Sequence, residues 1–167
     1  MCVIKAIPEI HFHQTSRSTP EQFIAGLIDF GPSRSRLFPN SSDEYLKVHH
    51  LGHSEADVTE GSGSIWERLH YDWSDPNSVV LTTTDSNVWS GLSSHTYTFT
   101  QQPDTTDINV VIVREGKNLK GRVLGFVLRT IGRRVLENAF ESSVRAIEAR
   151  NGKLLVCSPE RIQECTC

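Results

Sequence analysis

Residues 116–152, GKNLKGRVLGFVLRTIGRRVLENAFESSVRAIEARNG, predict one long helix. Apolar residues recur there at every fourth position: Val123, Val127, Ile131, Val135 and Ala139. Leu124, Leu128 and Leu136 widen this row, so the first half of the helix is apolar over much of its circumference. We expect the helix to run from about Leu119 to Arg150 and to stop at Asn151-Gly152, a typical helix end. A stripe this broad needs a large concave partner, which a curved sheet supplies.

The segment before this helix has the period of strands. Turn-like sequences such as Glu60-Gly61-Ser62-Gly63 separate short alternating runs, which indicates an antiparallel meander. The predicted strands are Tyr45–Leu51, Ala56–Glu60, Ser64–Trp73, Val79–Asp85, Ser93–Gln101 and Thr106–Arg114.

One further strand and two short helices precede the meander. Ile10–Thr15 alternates as a strand, and Thr19-Pro20 followed by Gln22 is a typical helix start. We expect a helix from there to about Asp29, and one more turn over Ser33–Phe38. Residues 1–152 are therefore expected to form a single α+β domain, with residues 153–167 as a tail.

Composition excludes several classes of protein. The 167 residues carry 17 Lys and Arg against 20 Asp and Glu, so the net charge of −3 argues against a nucleic-acid partner. No apolar run is long enough for an integral membrane segment. The first ten residues lack the pattern of a signal peptide, which predicts a cytoplasmic protein. The oligomeric state is not predicted.

Neither a metal nor a cofactor is expected. His49 and His50 are adjacent, so on a strand they face opposite ways and cannot easily share an ion with His53. The four cysteines lie near the ends of the chain, and a role for them is left open: Cys2, Cys157, Cys165 and Cys167.

The order of elements resembles the helix-grip fold of the START-type superfamily, also called SRPBCC, which includes polyketide cyclases and birch-pollen-allergen-like proteins. Three stretches carry the resemblance: IHFHQTSRSTPEQFIAGLIDF (10–30), SIWERLHYDWSDPNSVVLTTTDSNVW (64–89) and residues 116–152. It implies a curved antiparallel sheet of about seven strands wrapped around the long helix. It also implies a hydrophobic small molecule bound between sheet and helix, with catalysis in only some members.

Strand alternation predicts which residues face the interior. In 93–101 the aromatic face carries His95, Tyr97 and Phe99, while threonines occupy the other face. In 64–73 the more apolar face carries Leu69, Tyr71 and Trp73. The expected ligand-binding residues are Leu69, Tyr71, Trp73, Trp89, His95, Tyr97, Phe99, Leu124, Phe126, Leu128 and Ile131, with Trp89 at a mouth.

Glu67 is the charged exception on its face, and His95 is its candidate partner. With Tyr71 or Tyr97 the two would form an acid/base set for a polyketide cyclase or dehydratase. The alternative is a carboxyl group that is hydrated or paired with an Arg, beside a structural histidine. Three functions therefore stay open: a lipid or polyketide binder that transports or sequesters its ligand, a cyclase, or a protein-interaction module with exposed Trp66 and a filled core.

Overall fold

The computed structural model describes residues 9–39 and 41–156, with only the backbone described at Ile131 and at residues 153–156. Its strands are β1 (Glu9–Ser16), β2 (Lys47–Leu51), β3 (Glu55–Ser62), β4 (Ile65–Asp72), β5 (Ser78–Ser86), β6 (Ser94–Gln101) and β7 (Thr106–Val113). They form one seven-stranded sheet in the order β1-β7-β6-β5-β4-β3-β2, and every neighbouring pair is antiparallel. The predicted antiparallel sheet is confirmed.

Within the described residues four helices accompany the sheet: α1 (Pro20–Leu27), α2 (Arg34–Leu37), α3 (Leu119–Val127) and α4 (Arg133–Val156), with a π-helical turn (Leu128–Gly132) between the last two. The start of α1 follows from local chemistry. The backbone N–H of Gln22 donates to the Thr19 hydroxyl, and the N–H of Thr19 donates to the side-chain oxygen of Gln22. This reciprocal pair satisfies amide groups that a helix start otherwise leaves without partners.

Aromatic rings pack the space between the sheet and the helices α1 and α4. Phe140 of α4 contacts Phe12 of β1, Phe23 of α1 and Tyr97 of β6, with ring centroids 5.6–5.9 Å apart. Phe99 packs on Phe23 at 5.5 Å. These rings fill the part of the interior around Phe23 and Phe99.

The predicted orientation of the last helix is wrong in its first half. Val123, Val127 and Val135 are 55%, 43% and 61% exposed, whereas Gly121 and Gly125 are buried. The physical reason is a close approach of backbone, since a Cβ at position 121 would collide with the Val88 carbonyl oxygen. Only the glycine face fits there, and the π-helical turn then changes the register before α4 begins.

The expected end of this helix is also wrong, because α4 continues through Asn151-Gly152 to Val156. Tertiary contacts hold the helix at this point. Arg150 pairs with Asp29 at 2.6 Å, and the Asn151 amide donates to the Ser18 hydroxyl at 2.9 Å. The boundary expected at residue 152 therefore falls inside a helix, and residues 157–167 lie outside the described part.

Two glycines one turn apart in α3 are expected to respond oppositely to alanine. In Gly121→Ala the new methyl group meets the Val88 carbonyl, so we expect unfolding free energy to fall by about 1–3 kcal/mol. At Gly125 a Cβ would find its nearest atom, in the Trp89 ring, 3.9 Å away. Gly125→Ala should therefore raise the unfolding free energy by up to about 1 kcal/mol, because alanine has a higher helix propensity than glycine. Urea unfolding measures the unfolding free energy of both variants. Equal changes in the two variants would contradict the close approach of the Val88 carbonyl to Gly121.

Candidate functional site

A cavity of about 320 Å³ lies between the sheet and the last helices. Its apolar wall includes Leu69, Leu81, Ile112, Leu128 and Phe140. The exposed residues Pro39 and Ser62 mark where it reaches the surface. The remaining lining residues are Phe12, Leu27, Arg34, Phe38, Ser41, Glu60, Gly61, Ile65, Trp66, Glu67, Tyr71, Trp89, His95, Tyr97, Arg114, Leu136, Ala139 and Ser143.

Two carboxylates meet on one face of the β3–β4 hairpin. Glu60 and Glu67 are direct cross-strand partners, so their side chains share a face and their like charges oppose each other. Each lines the cavity and each is neutralised by its own arginine. The two ion pairs therefore make the close placement of two carboxylates tolerable.

Arg114 binds Glu67 through two hydrogen bonds of 2.8 and 2.9 Å, and the Thr83 hydroxyl donates to the same carboxylate at 3.0 Å. The guanidinium also lies 5.0 Å from the centre of the Trp89 ring. Burial tends to raise the pKa of Glu67, but the Arg114 charge and these hydrogen bonds lower it below the ordinary value. Glu67 is therefore ionised, and both of its carboxylate oxygens accept hydrogen bonds.

Arg34 anchors the second pair and is only 3% exposed. Its Nε donates to Glu60 at 2.7 Å, one terminal nitrogen donates to the Leu27 carbonyl, and the other donates to the Tyr71 hydroxyl at 2.9 Å. That hydroxyl donates to Glu60 at 2.7 Å, and Phe38 lies 4.2 Å below the guanidinium carbon. Burial and the Glu60 charge together raise the pKa of Tyr71, so the Tyr71 hydroxyl remains protonated.

His95 lines the cavity and differs from the paired charges in its hydrogen bonding. Its Nε2 atom is buried and has no hydrogen-bond partner among the described residues. Burial and the neighbouring Arg114 charge lower the pKa of His95 to about 3, against a smaller opposing effect of Glu67. The centre of the Tyr97 ring lies 6.5 Å from the centre of the His95 ring. The imidazole is therefore neutral and presents an unused polar atom.

The structure brings together most of the predicted residues. Seven of the predicted residues line the cavity: Glu67, Leu69, Tyr71, Trp89, His95, Tyr97 and Leu128. Trp89 is 4% exposed and forms wall rather than mouth. Phe99 packs on Phe23 in the core, and Trp73 is partly buried against the core. At Ile131 only the backbone is described. Phe126 is 66% exposed and Leu124 does not line the cavity, since Gly121 and Gly125 take the inward face of α3.

Of the two alternatives left open for Glu67, the structure shows the pairing with an arginine and not the pairing with His95, because both carboxylate oxygens accept hydrogen bonds from Arg114. Sequence reasoning missed Arg114, Arg34 and Glu60. A signal for Glu60 was present, since it shares the strand face of the apolar residues Ala56 and Val58. For the arginines no local signal exists, because their partners are 26 and 47 residues away.

The neutral state of His95 predicts a pH-dependent stability. An unfolded histidine has a pKa of about 6.5, whereas the folded pKa of His95 is about 3. The unfolded chain therefore binds the extra proton, so stability present above about pH 6.5 is lost progressively toward pH 3. Between about pH 7.5 and 5 His95 alone should contribute a loss of about 2 kcal/mol to the unfolding free energy, measured by urea unfolding. His95→Gln should remove most of this dependence, and an unchanged pH profile would contradict it.

Among the residues that the structure describes, no helix combines the length and hydropathy needed to cross a bilayer.

Comparison with known proteins identifies the fold. No model of a protein family matches the chain, and no curated protein resembles it in sequence. Among solved structures, the Zhui aromatase/cyclase of Streptomyces sp. R1128 superposes with a TM-score of 0.65 at 10% identity, covering 90% of this chain and 96% of that one. A START superfamily protein of Mycobacterium smegmatis gives 0.61 at 12%, covering 87% and 98%. Ara h 8.0201 gives 0.56 at 13%, covering 86% and 99%.

The chain therefore has the helix-grip α+β fold. The sequence analysis predicted this fold from the resemblance to the START-type superfamily, and the prediction of the fold is confirmed. At these identities the likeness concerns the fold alone.

Proposed function

We propose that this protein binds a compact, neutral, mostly hydrophobic small molecule in the cavity, for transport or sequestration. The observation that carries the proposal is a largely apolar cavity of about 320 Å³ with one unpartnered polar atom, His95 Nε2, in its wall. Small-molecule sites combine apolar walls with a few orienting polar groups in just this way, and start at about 300 Å³. The space suits a molecule of two or three rings better than a lipid with two acyl chains.

The charge state of the walls supports a neutral ligand. Glu60 is paired with Arg34 and Glu67 with Arg114, so the described lining residues offer no free charge of either sign to bind an ionic headgroup. A ligand hydroxyl or carbonyl, in contrast, can hydrogen-bond His95 and Tyr97. A filled interior would support an interaction module instead, and the cavity argues against that alternative.

Two fluorescent probes that share a skeleton test this proposal. N-phenyl-1-naphthylamine is neutral, and 8-anilinonaphthalene-1-sulfonate carries an added sulfonate. We expect saturable one-to-one binding of the neutral probe, and at least about tenfold weaker binding of the anion, because a buried sulfonate would find no free cation. Native mass spectrometry of freshly purified protein then searches for the natural ligand. The proposal fails if neither probe saturates, and the neutral-ligand part fails if the sulfonate binds more tightly.

A polyketide cyclase is the second candidate, favoured by the neutral His95 beside the Tyr97 hydroxyl. The likeness to the Zhui aromatase/cyclase concerns the fold, but it directs the choice of assay. A linear poly-β-ketone thioester serves as substrate. If His95 moves a proton, His95→Gln abolishes ring closure although the neutral probe still saturates, whereas a binder shows no turnover in either form.

A further inference from the structure

The outer face of α3 exposes large apolar side chains next to unpaired positive charge. We propose that this face docks the protein onto an anionic lipid bilayer. The docking face consists of an apolar ridge, Leu119, Val123, Phe126 and Val127, and of the flanking cations Lys120, Arg122, Arg129 and Arg134.

The apolar ridge is continuous along the helix. Its four residues are 78%, 55%, 66% and 43% exposed in chain order. Spacings of three and four place them on one face, opposite Gly121 and Gly125, which face inward. The ridge is therefore an apolar surface separate from the core, and the described residues leave it exposed to solvent. Exposed apolar surfaces of this kind mark interaction sites.

The charge around the ridge identifies the partner. Residues 116–136 contain no Asp or Glu but hold Lys117, Lys120, Arg122, Arg129, Arg133 and Arg134, although the whole chain has a net charge of −3. Lys117 pairs with Asp85 and Arg133 with Glu137.

The other four cations have no carboxylate within 4.0 Å in the part of the chain that the structure describes. The four are Lys120, Arg122, Arg129 and Arg134. A surface with this excess of positive charge is complementary to an anionic partner.

A bilayer fits this combination better than an acidic protein surface does. An apolar helix face bordered on both sides by Lys or Arg is the pattern of helices that lie in the headgroup region, with the apolar residues among the acyl chains. Arg122 and Lys120 border the ridge on its two sides.

The ridge also adjoins the cavity, because Leu128 follows Val127 directly and lines the cavity wall. Docking would bring that wall to the membrane, where a hydrophobic ligand is stored. The ridge itself lies outside the cavity, so docking and ligand binding can fail separately.

Vesicle sedimentation tests the proposal. We expect the protein to bind phosphatidylcholine vesicles containing about one-quarter phosphatidylglycerol at least about tenfold more tightly than pure phosphatidylcholine vesicles, and to be released by about 0.5 M sodium chloride. Phe126→Ser should weaken binding at least about tenfold by removing the ring, and the double variant R129Q/R134Q should remove the preference for anionic vesicles. Leu51→Ser is the matched control, since Leu51 is an exposed apolar residue, 60% accessible, on the edge strand β2.

The outcomes separate the alternatives. Equal binding to both kinds of vesicle, or to neither, overturns the proposal, and so does a Phe126→Ser variant that binds like the Leu51→Ser control. A dimer that Phe126→Ser dissociates would show a second copy on the face and would also overturn it. Binding of N-phenyl-1-naphthylamine by Phe126→Ser should equal that of the wild type, which keeps this test independent of the proposed function.

Discussion

Ala139→Trp is expected to lower the affinity for N-phenyl-1-naphthylamine at least about 100-fold, which corresponds to about 2.7 kcal/mol of binding free energy. Ala139 lies on α4 and lines the cavity, so the indole ring enters the space that the probe would occupy. Because the ring fills existing space, we expect the unfolding free energy to change by less than about 1.5 kcal/mol. Fluorescence titration and urea unfolding measure the two quantities.

The matched control is Ala149→Trp, the same substitution at an exposed position of the same helix. It should leave both affinity and stability unchanged. If Ala139→Trp binds the probe like this control while remaining folded, the probe occupies another site and the cavity is not the binding site.

Arg34→Ala is expected to lower the unfolding free energy by about 3–5 kcal/mol, because it leaves Glu60 buried with its charge uncompensated. The loss also removes the donor to the Leu27 carbonyl and the cation that packs on Phe38. A domain is typically stable by about 5–15 kcal/mol in total, so this variant should be marginally folded at 25 °C. Urea unfolding followed by circular dichroism measures the change.

Two further variants separate charge from packing at this site. Arg36→Ala changes an exposed arginine of the same helix and should stay within about 0.5 kcal/mol of the wild type. The double variant R34M/E60Q removes both charges and should be more stable than the sum of its single variants predicts. A loss below about 1 kcal/mol in Arg34→Ala, or additivity in the double variant, would contradict the buried ion pair.

The local part of the fold was predictable because local interactions set it. Thr19, Pro20 and Gln22 start α1 through hydrogen bonds that span three residues. In β6, alternation alone placed Tyr97 and Phe99 inside and the threonines outside. Such patterns act through backbone geometry, which repeats every two residues in a strand.

The alternation of side chains along a strand could not show which inward-facing residues line the cavity and which pack in the core. His95, Tyr97 and Phe99 share one strand face, yet the first two line the cavity and Phe99 packs on Phe23. The difference depends on α1, because Phe23 of that helix fills the space beside Phe99, whereas space remains beside His95 and Tyr97. For the same reason the apolar period of the last helix did not reveal which face is inside. The approach of the Val88 carbonyl to Gly121 decides that, and it joins residues 33 positions apart.

The sequence by itself determined the order of strands and helices, the α+β class and the inward faces of β4 and β6, because these depend on periodicity and on short-range hydrogen bonds. Only the tertiary structure decided the charge state of the cavity. The sequence left both His95 and an arginine open as partners of Glu67, but only the structure shows that Arg114 binds the carboxylate with two hydrogen bonds and that the histidine is neutral, with Nε2 unpartnered among the described residues. The strength of a buried charge pair depends on distance and burial, and both exist only once remote segments have packed together.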